Sequence, residues 1–314
     1  MFEQKRLVFW YAVSPVHMGA GTAVGGLIDN PIQREVHTQH PVFAGSGLKG
    51  ALREVATRQW SGEDVQVIFG PDSNNASDHA GALAVSDAQI VAFPVRALKE
   101  AFVHVTSPAC LARLKRLAQM AGVATNWQVP AAPGEGKAKL LNPALMSKDG
   151  KLILEAFAYA VEKKNDDLRA AAEWLAENVL PSGEEHKEFA NRLHQNLVLL
   201  RDEDFNHFVR FGTVVEPHVR IDNETGTADD GGLFYTENLP PETVMASLLM
   251  ATRGRKRKKE QEESMPAVEI MEKAAALLDG QLMQVGGDAT TGRGLVVTRV
   301  LAAKTAGATA EAAE

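Results

Sequence analysis

The chain has 314 residues, 45% of them apolar, one cysteine and a formal net charge of −7 at neutral pH. That length holds one large domain or two modest ones, and no apolar run approaches the roughly 20 residues of a membrane span. A single cysteine, Cys110, excludes an internal disulfide framework and suits a reducing, cytoplasmic setting; net acidity excludes indiscriminate nucleic-acid binding, because phosphate affinity comes mainly from Lys and Arg.

Taken in chain order, the N-terminal MFEQKRLVFWYAV puts charge before a short aromatic and β-branched run. It reads as a strand, Leu7 to Val13, and not as a signal peptide. A turn-rich stretch follows from Ser14 to Gly45. Leu48, Leu52, Val55 and Ala56 then recur at helical spacing, predicting a helix from about Ser46 to Trp60. Short strands are predicted at 65–69 and 82–95. From Ser107 the pattern turns helical: SPACLARLKRLAQMAG offers Ser as N-cap, Pro at the first position and Gly122 as stop, and Cys110 falls on this helix as a small buried residue. KLILEAFAYAV reads as an apolar strand, and NDDLRAAAEWLAENVL and EEHKEFANRLHQNLVLL as two further helices. HVRID and LFYTE flank the polar loop NETGTADDGG, predicting a long hairpin. RGRKRKK (253–259) supplies six of the 33 basic residues, leaving 27 to face 40 acidic ones, and it reads as a solvated loop. A helix from about Pro266 to Leu278 precedes the strands QLMQVGG and GLVVTRV, and residues 301–314 form a low-complexity tail expected to be disordered. The plan is α+β: a discontinuous domain of about 1–106 and 211–300, with a helical insertion at about 107–210 and a hairpin at about 218–240.

Two glycine loops carry the chemistry. FAGSGLKGALRE contains G-x-G-x-x-G, yet a dinucleotide fingerprint should sit directly between the first strand and first helix of a βαβ unit. About thirty residues intervene here, and no acid ends a second strand. A helix N-terminus still favours an anion, and Ser46 at its mouth with Lys49 and Arg53 on one face suits a sugar–phosphate backbone. The second loop, GGDATTGRGL (286–295), places Gly287, Thr290, Thr291 and Arg293 between two apolar strands, where backbone N–H groups, hydroxyls and a cation can meet phosphate oxygens. Asp29, followed by Asn-Pro, has the local signature of a turn former. His17 carries an imidazole, which suits acid or base chemistry, or a bond to nearby backbone. His37 and His40 have H-x-x-H spacing without a third ligand.

SPVHMGAG, LIDNPIQREVHT, GSGLKGALRE, HVRIDNETGTADDGGLFYTENLP and GGDATTGRGL occur in the order seen in one family. In these segments the chain resembles the RAMP-superfamily backbone subunit of Cmr-type (type III-B) CRISPR–Cas effector complexes. It departs from that family's usual helix motif in having Gly47 where a second serine is common. The resemblance implies a ferredoxin-like, RRM-related palm, a helical fingers insertion and a hairpin thumb. It implies copies that polymerise along a guide CRISPR RNA beside other Cmr-type subunits, and cutting of complementary target RNA at regular intervals. It marks Asp29 as the cleavage residue, acting as base or as ligand of a divalent cation, Mg2+. His17 is a further candidate acid or base, and Tyr235 and Glu237, alternating onto one face at the hairpin base, are expected to reach the scissile site from the neighbouring copy. The guide is expected on Ser46, Lys49, Arg53, Gly287, Thr290, Thr291 and Arg293. The competing expectations are a non-catalytic filament protomer and a guide-processing ribonuclease of the same superfamily; an inactive backbone would not need Asp29.

Overall fold

The computed structural model describes residues 2–21, 26–72, 79–163, 165–255 and 264–303. Strand β1 (Gln4–Ala12) is an interior strand of the main sheet and sends apolar side chains to both faces, the pattern of a strand covered on two sides. Val8, Trp10 and Ala12 join a buried cluster with Leu48 and Leu52 of α1 (Gly45–Gln59) and Ile270 and Met271 of α7 (Ala267–Ala276). Leu7, Phe9 and Tyr11 join a second cluster, with Leu111 and Leu114 of α3 (Pro108–Met120) and Leu168 and Leu175 of α4 (Asp166–Asn178). Each large side chain so buried stabilises the fold by about 1.5–3 kcal/mol. The one polar edge of Trp10 is satisfied, its Nε1–H donating to Ser247 Oγ at 2.9 Å.

Strand β1 pairs antiparallel with both β12 (Val244–Ala251) and β14 (Leu295–Leu301), and β12 pairs antiparallel with β4 (Ala88–Val95). Strand β13 (Leu282–Gln284) borders β14. Beyond β4 the sheet continues through β5 (Val103–Thr106), β9 (Leu197–Leu199), β6 (Lys137–Leu140) and β8 (Phe157–Glu162) to β7 (Lys151–Leu154). With β2 (Val42–Phe43) and β3 (Leu83–Val85) attached, it has twelve strands and is mixed, since β5–β9 and β6–β8 run parallel. Among the described residues no helix is long and apolar enough to cross a membrane.

Several expectations change. Residues 65–69 are not a strand but the end of α2 (Gly62–Phe69). Ser61 Oγ caps it by accepting from Asp64 N–H, and Val65, Ile68 and Phe69 are buried at helical spacing, which outweighs the β-branched composition. The segment 107–210 is not purely helical: four strands of the main sheet, β6 to β9, alternate with α3, α4, α5 (Glu184–Gln195) and α6 (Asp202–Phe211). KLILEAFAYAV is two strands, β7 and β8, reversed at Glu155, which takes a left-handed φ of 49°. The apolar end of EEHKEFANRLHQNLVLL, predicted as helix, is instead β9, parallel to β5. The cap at Ser107 stands as predicted, its Oγ accepting from Cys110 N–H.

Strands β10 (Val214–Ile221) and β11 (Ala228–Asn238) form a separate hairpin. Its turn is shorter than the expected ten residues because ADDGG already belongs to β11. Asp222 Oδ1 orders the tip by accepting from the N–H groups of Glu224 (2.9 Å) and Thr225 (2.7 Å). Residues 256–259 of the basic stretch, and the tail from 304, lie outside the described residues.

Candidate functional site

The edge of β11 facing away from β10 organises the site. Alternate residues point their backbone groups there. Leu239 exchanges two hydrogen bonds of 2.9 Å with Val16. Glu237 O accepts from the His17 ring at 2.7 Å, and Glu237 N–H donates to Asn30 O at 3.0 Å. Tyr235 O accepts from Asn30 N–H at 3.0 Å, and Tyr235 N–H donates to Asp29 Oδ2 at 2.8 Å. One strand edge therefore docks both His17 and Asp29, more than two hundred residues away in sequence.

The contact to Glu237 O fixes the tautomer of His17. A carbonyl only accepts, so Nδ1 carries the proton and the neutral ring keeps its lone pair on Nε2. Gly19 leaves room beside that nitrogen: a Cβ there would lie 2.8 Å from Nε2. Asp29 is exposed, with one carboxylate oxygen on Tyr235 N–H and the other unengaged among the described residues. Tyr235 is 36% exposed, and no described group bonds its hydroxyl.

Glu237 lies on the same face of β11 as Tyr235, as alternation predicts, but it is buried within its own chain. It is 3% exposed, and its carboxylate is fully engaged. Oε1 accepts from Arg34 Nη2 (2.5 Å) and Thr213 Oγ1 (2.7 Å), while Oε2 accepts from Ile32 N–H (3.0 Å). The base of the hairpin is enclosed at Glu237 by residues 30–34, and two positions further out at Tyr235 the strand meets solvent. Glu237 holds the loop; its carboxylate does not face an open site.

Each glycine loop serves a packing need before any ligand. At Gly45 a Cβ would come 2.2 Å from Val85 O, and at Gly286, with φ +77°, 2.3 Å from His17 O. Gly287 N–H donates to His17 O at 2.8 Å, so the second loop fixes the backbone of His17 from behind. Gly47 faces Met18, where a Cβ would lie 3.1 Å from the sulfur. The His17–Met18 segment is thus held between the two glycine loops.

Of the expected phosphate contacts, some are free and some already engaged. The first N–H of α1, at Gly45, donates to Asp87 Oδ1 at 2.7 Å. Arg53 is paired with Asp72 at 2.6 Å and with Pro71 O, and Arg293 is paired with Glu216 of the hairpin. Thr291 Oγ1 donates to its own loop, at Asp288 O, while Thr290 is exposed. Lys49 has no partner among the described residues, and burial, then the Arg53 charge, pulls its ammonium pKa below the ordinary lysine range. Together with exposed Ser46 it borders a cleft of about 400 Å³ that Thr252 and Arg255 also line. A second cleft, of about 380 Å³, brings His17, Asn30, His218, Thr236, Thr291 and Arg293 together between the hairpin and the second glycine loop. Phe234 and His218 stack at its wall, ring centroids 5.1 Å apart.

Sequence reasoning missed Arg34, Asp87 and Glu216. Arg34 stands inside LIDNPIQRE, but only its partners at Val209 and Glu237, more than 170 residues away, reveal its role. His40 is buried against Phe205, which desolvates it and lowers its pKa, whereas the side chain of His37 is 75% exposed; the H-x-x-H spacing does not make a pair. Among the described residues no group of three His, Cys, Asp or Glu side chains is placed to hold a metal ion.

A twelve-stranded mixed sheet, an appended hairpin and two glycine loops gripping one histidine segment define the class: residues 11–297 match the RAMP superfamily, and the chain belongs to it. Over 298 residues it is 35% identical to the CRISPR system Cmr endoribonuclease Cmr4 of Pyrococcus furiosus, covering 92% of this chain and 93% of that one. It is 25% identical to the CRISPR system CMR subunit Cmr4 of Saccharolobus solfataricus, covering 93% and 95%. The crystal structure of oligomeric Cmr4 from Pyrococcus furiosus is similar with a TM-score of 0.71 and 27% identity, over 95% of this chain and 98% of that one.

Proposed function

We infer that this chain is the repeated backbone subunit of a Cmr-type (type III-B) CRISPR effector complex, an endoribonuclease that binds guide RNA and cuts complementary target RNA at regular intervals. Its partners are the guide, the target, further copies of itself and other Cmr-type subunits. The observation that carries the reading is the β11 edge, which docks Asp29 at Tyr235 and His17 at Glu237, two positions apart near the root of the hairpin. The 35% identity to a Cmr endoribonuclease supports the activity. We read β1, α1, β4, β12, α7 and β14 as a ferredoxin-like palm, supported by the βαββαβ order and the antiparallel spatial order β14-β1-β12-β4. Segment 107–210 is then the fingers and β10–β11 the thumb.

Cleavage by internal attack needs the target 2′-hydroxyl in line with its phosphorus, a geometry that continuous A-form RNA denies. The hairpin displaces one nucleotide, at a cost of a few kcal/mol of stacking. The 2′-oxygen then attacks phosphorus as its proton passes to a base, and the P–O5′ bond breaks as the departing oxygen takes up a proton, giving a 2′,3′-cyclic phosphate and a 5′-hydroxyl. Asp29 offers its unengaged oxygen at that point, and His17 offers Nε2 for proton transfer. A divalent cation such as Mg2+ is commonly held by one or two carboxylates together with substrate phosphates, and Asp29 with a target phosphate is such a set. Bound there, it would stabilise charge on the phosphoryl oxygens.

The test is Asp29→Ala in an assembled complex. Target cutting should be abolished, with guide and target affinity near wild type. Cutting at a comparable rate would leave an RNA-binding protomer whose chemistry lies elsewhere. Dependence of wild-type cutting on added Mg2+ separates a metal-ligand role for Asp29 from a base role.

A further inference from the structure

We propose that Arg34 is a positioning residue for target cleavage: it ties the loop carrying Asp29 to both legs of the hairpin and to the end of α6. The proposal rests on the reading that Asp29 carries the cleavage chemistry.

The guanidinium bonds to four residues. Nη2 pairs with Glu237 Oε1 at 2.5 Å at the root of β11, and also donates to Arg210 O at 3.3 Å. Nη1 donates to Val209 O at 3.1 Å and to Gln39 O at 2.8 Å. Val209 and Arg210 lie in the last turn of α6, whose terminal carbonyls lack intrahelical donors and carry the negative end of the helix dipole. The planar fork of arginine meets a carboxylate and three carbonyls at once, which a lysine ammonium with three donors on one nitrogen does not reproduce.

The same carboxylate extends the tie. Glu237 Oε2 accepts from Ile32 N–H, three residues after Asp29, and Oε1 accepts from Thr213, the residue just before β10. Both legs of the hairpin and the Asp29 loop therefore meet at one ion pair, whose side chains are 16% and 5% exposed. Neither Arg34 nor Glu237 faces the open site. Their effect on chemistry runs through where Asp29 sits relative to the nucleotide that the hairpin displaces, and a misplacement of about 1 Å can cost about a hundredfold in rate.

The experiment compares Arg34→Lys, Thr213→Val and Asp29→Ala in assembled complexes. Guide retention, target affinity, the single-turnover cutting rate and cut positions are measured for each. Arg34→Lys should keep guide and target affinity within about twofold, yet slow cutting at least tenfold and broaden the cut positions. Thr213→Val, which removes one hydroxyl from the same carboxylate, should slow cutting severalfold with affinity unchanged. A purely architectural role would lower affinity and melting temperature along with rate. Loss of cutting only in proportion to binding, or wild-type cutting in Arg34→Lys, would overturn the proposal. Should Arg34→Lys fail to assemble, wild-type cutting by Thr213→Val overturns it. Asp29→Ala separates the two inferences: if that variant still cuts, the cleavage reading fails; if it is inactive while Arg34→Lys is normal, only the positioning role fails.

Discussion

Glu216 occupies a cation that guide RNA is expected to use, so removing its charge should tighten binding. Its carboxylate pairs with Arg293 of the second glycine loop and also accepts from Asn238 Nδ2 at 3.4 Å. The paired side chains are 28% and 23% exposed, so the ion pair is partly screened and is worth about 1 kcal/mol. A phosphate that takes Arg293 must first displace Glu216. In Glu216→Gln that competition is gone, and affinity for single-stranded guide RNA should rise about fivefold. Arg293→Gln should weaken binding and reduce the slope of log affinity against log salt by about 0.7, the loss of one phosphate contact. The assay is a titration of labelled guide RNA with the purified chain across a salt series, for both variants and the double variant. Because Glu216 acts through Arg293, the charge removal should have no effect once Arg293 is gone. An equal gain from Glu216→Gln in the Arg293→Gln background would refute the competition and leave only general relief of acidic repulsion.

Deleting residues 223–232 removes the turn and the first residues of β11, nearly all exposed, and should leave the melting temperature within a few degrees of wild type. Mapped internal cuts should disappear while guide binding survives; unchanged cut positions would move the separator to the segment 107–210. His104 is fully buried, and desolvation lowers its pKa to about 4, against an ordinary value near 6.5 in the unfolded chain. The unfolded state thus binds the extra proton first, so stability present above about pH 6.5 is lost as pH falls towards about 4, by an amount on the order of 3 kcal/mol. Melting curves at about pH 7 and about pH 5 should differ less for His104→Gln than for wild type, and an equal drop in both would assign the acid sensitivity to other groups.

What the sequence makes legible is local. Ser107, Pro108 and Gly122 mark the ends of α3 because caps and stops act within a turn of the residue concerned. The doubly apolar run of β1 is legible because burial on both faces leaves no alternation to disguise it. Strand β12, VMASLLMA, gives no such signal: its Ala, Leu and Met suit a helix, and only its place between β1 and β4 makes it a strand. The VQVIF segment errs in the other direction, where a capped helix face overrides β-branched composition.

The site is harder to read for the same reason. Alternation puts Tyr235 and Glu237 on one face of β11, and that inference is sound as far as the strand goes. It does not say that residues 30–34 cover the inner position and leave the outer one in water. The glycines of the two loops appear as phosphate cradles, yet Gly45 and Gly286 are required by carbonyls at Val85 and His17 whether or not RNA is bound. Such glycines report crowding of backbone on backbone. In this chain the crowding is what fixes His17, because the second loop can hold its carbonyl only by approaching closer than any side chain allows. Gly287, an expected ligand contact, and its neighbour Gly286 therefore also hold the His17 segment. A glycine substitution at 286 would disturb both functions together, whereas Glu216 and Arg34 act on one each. Those two residues, one inside LIDNPIQRE and one outside every quoted motif, are expected to separate guide binding from target cutting.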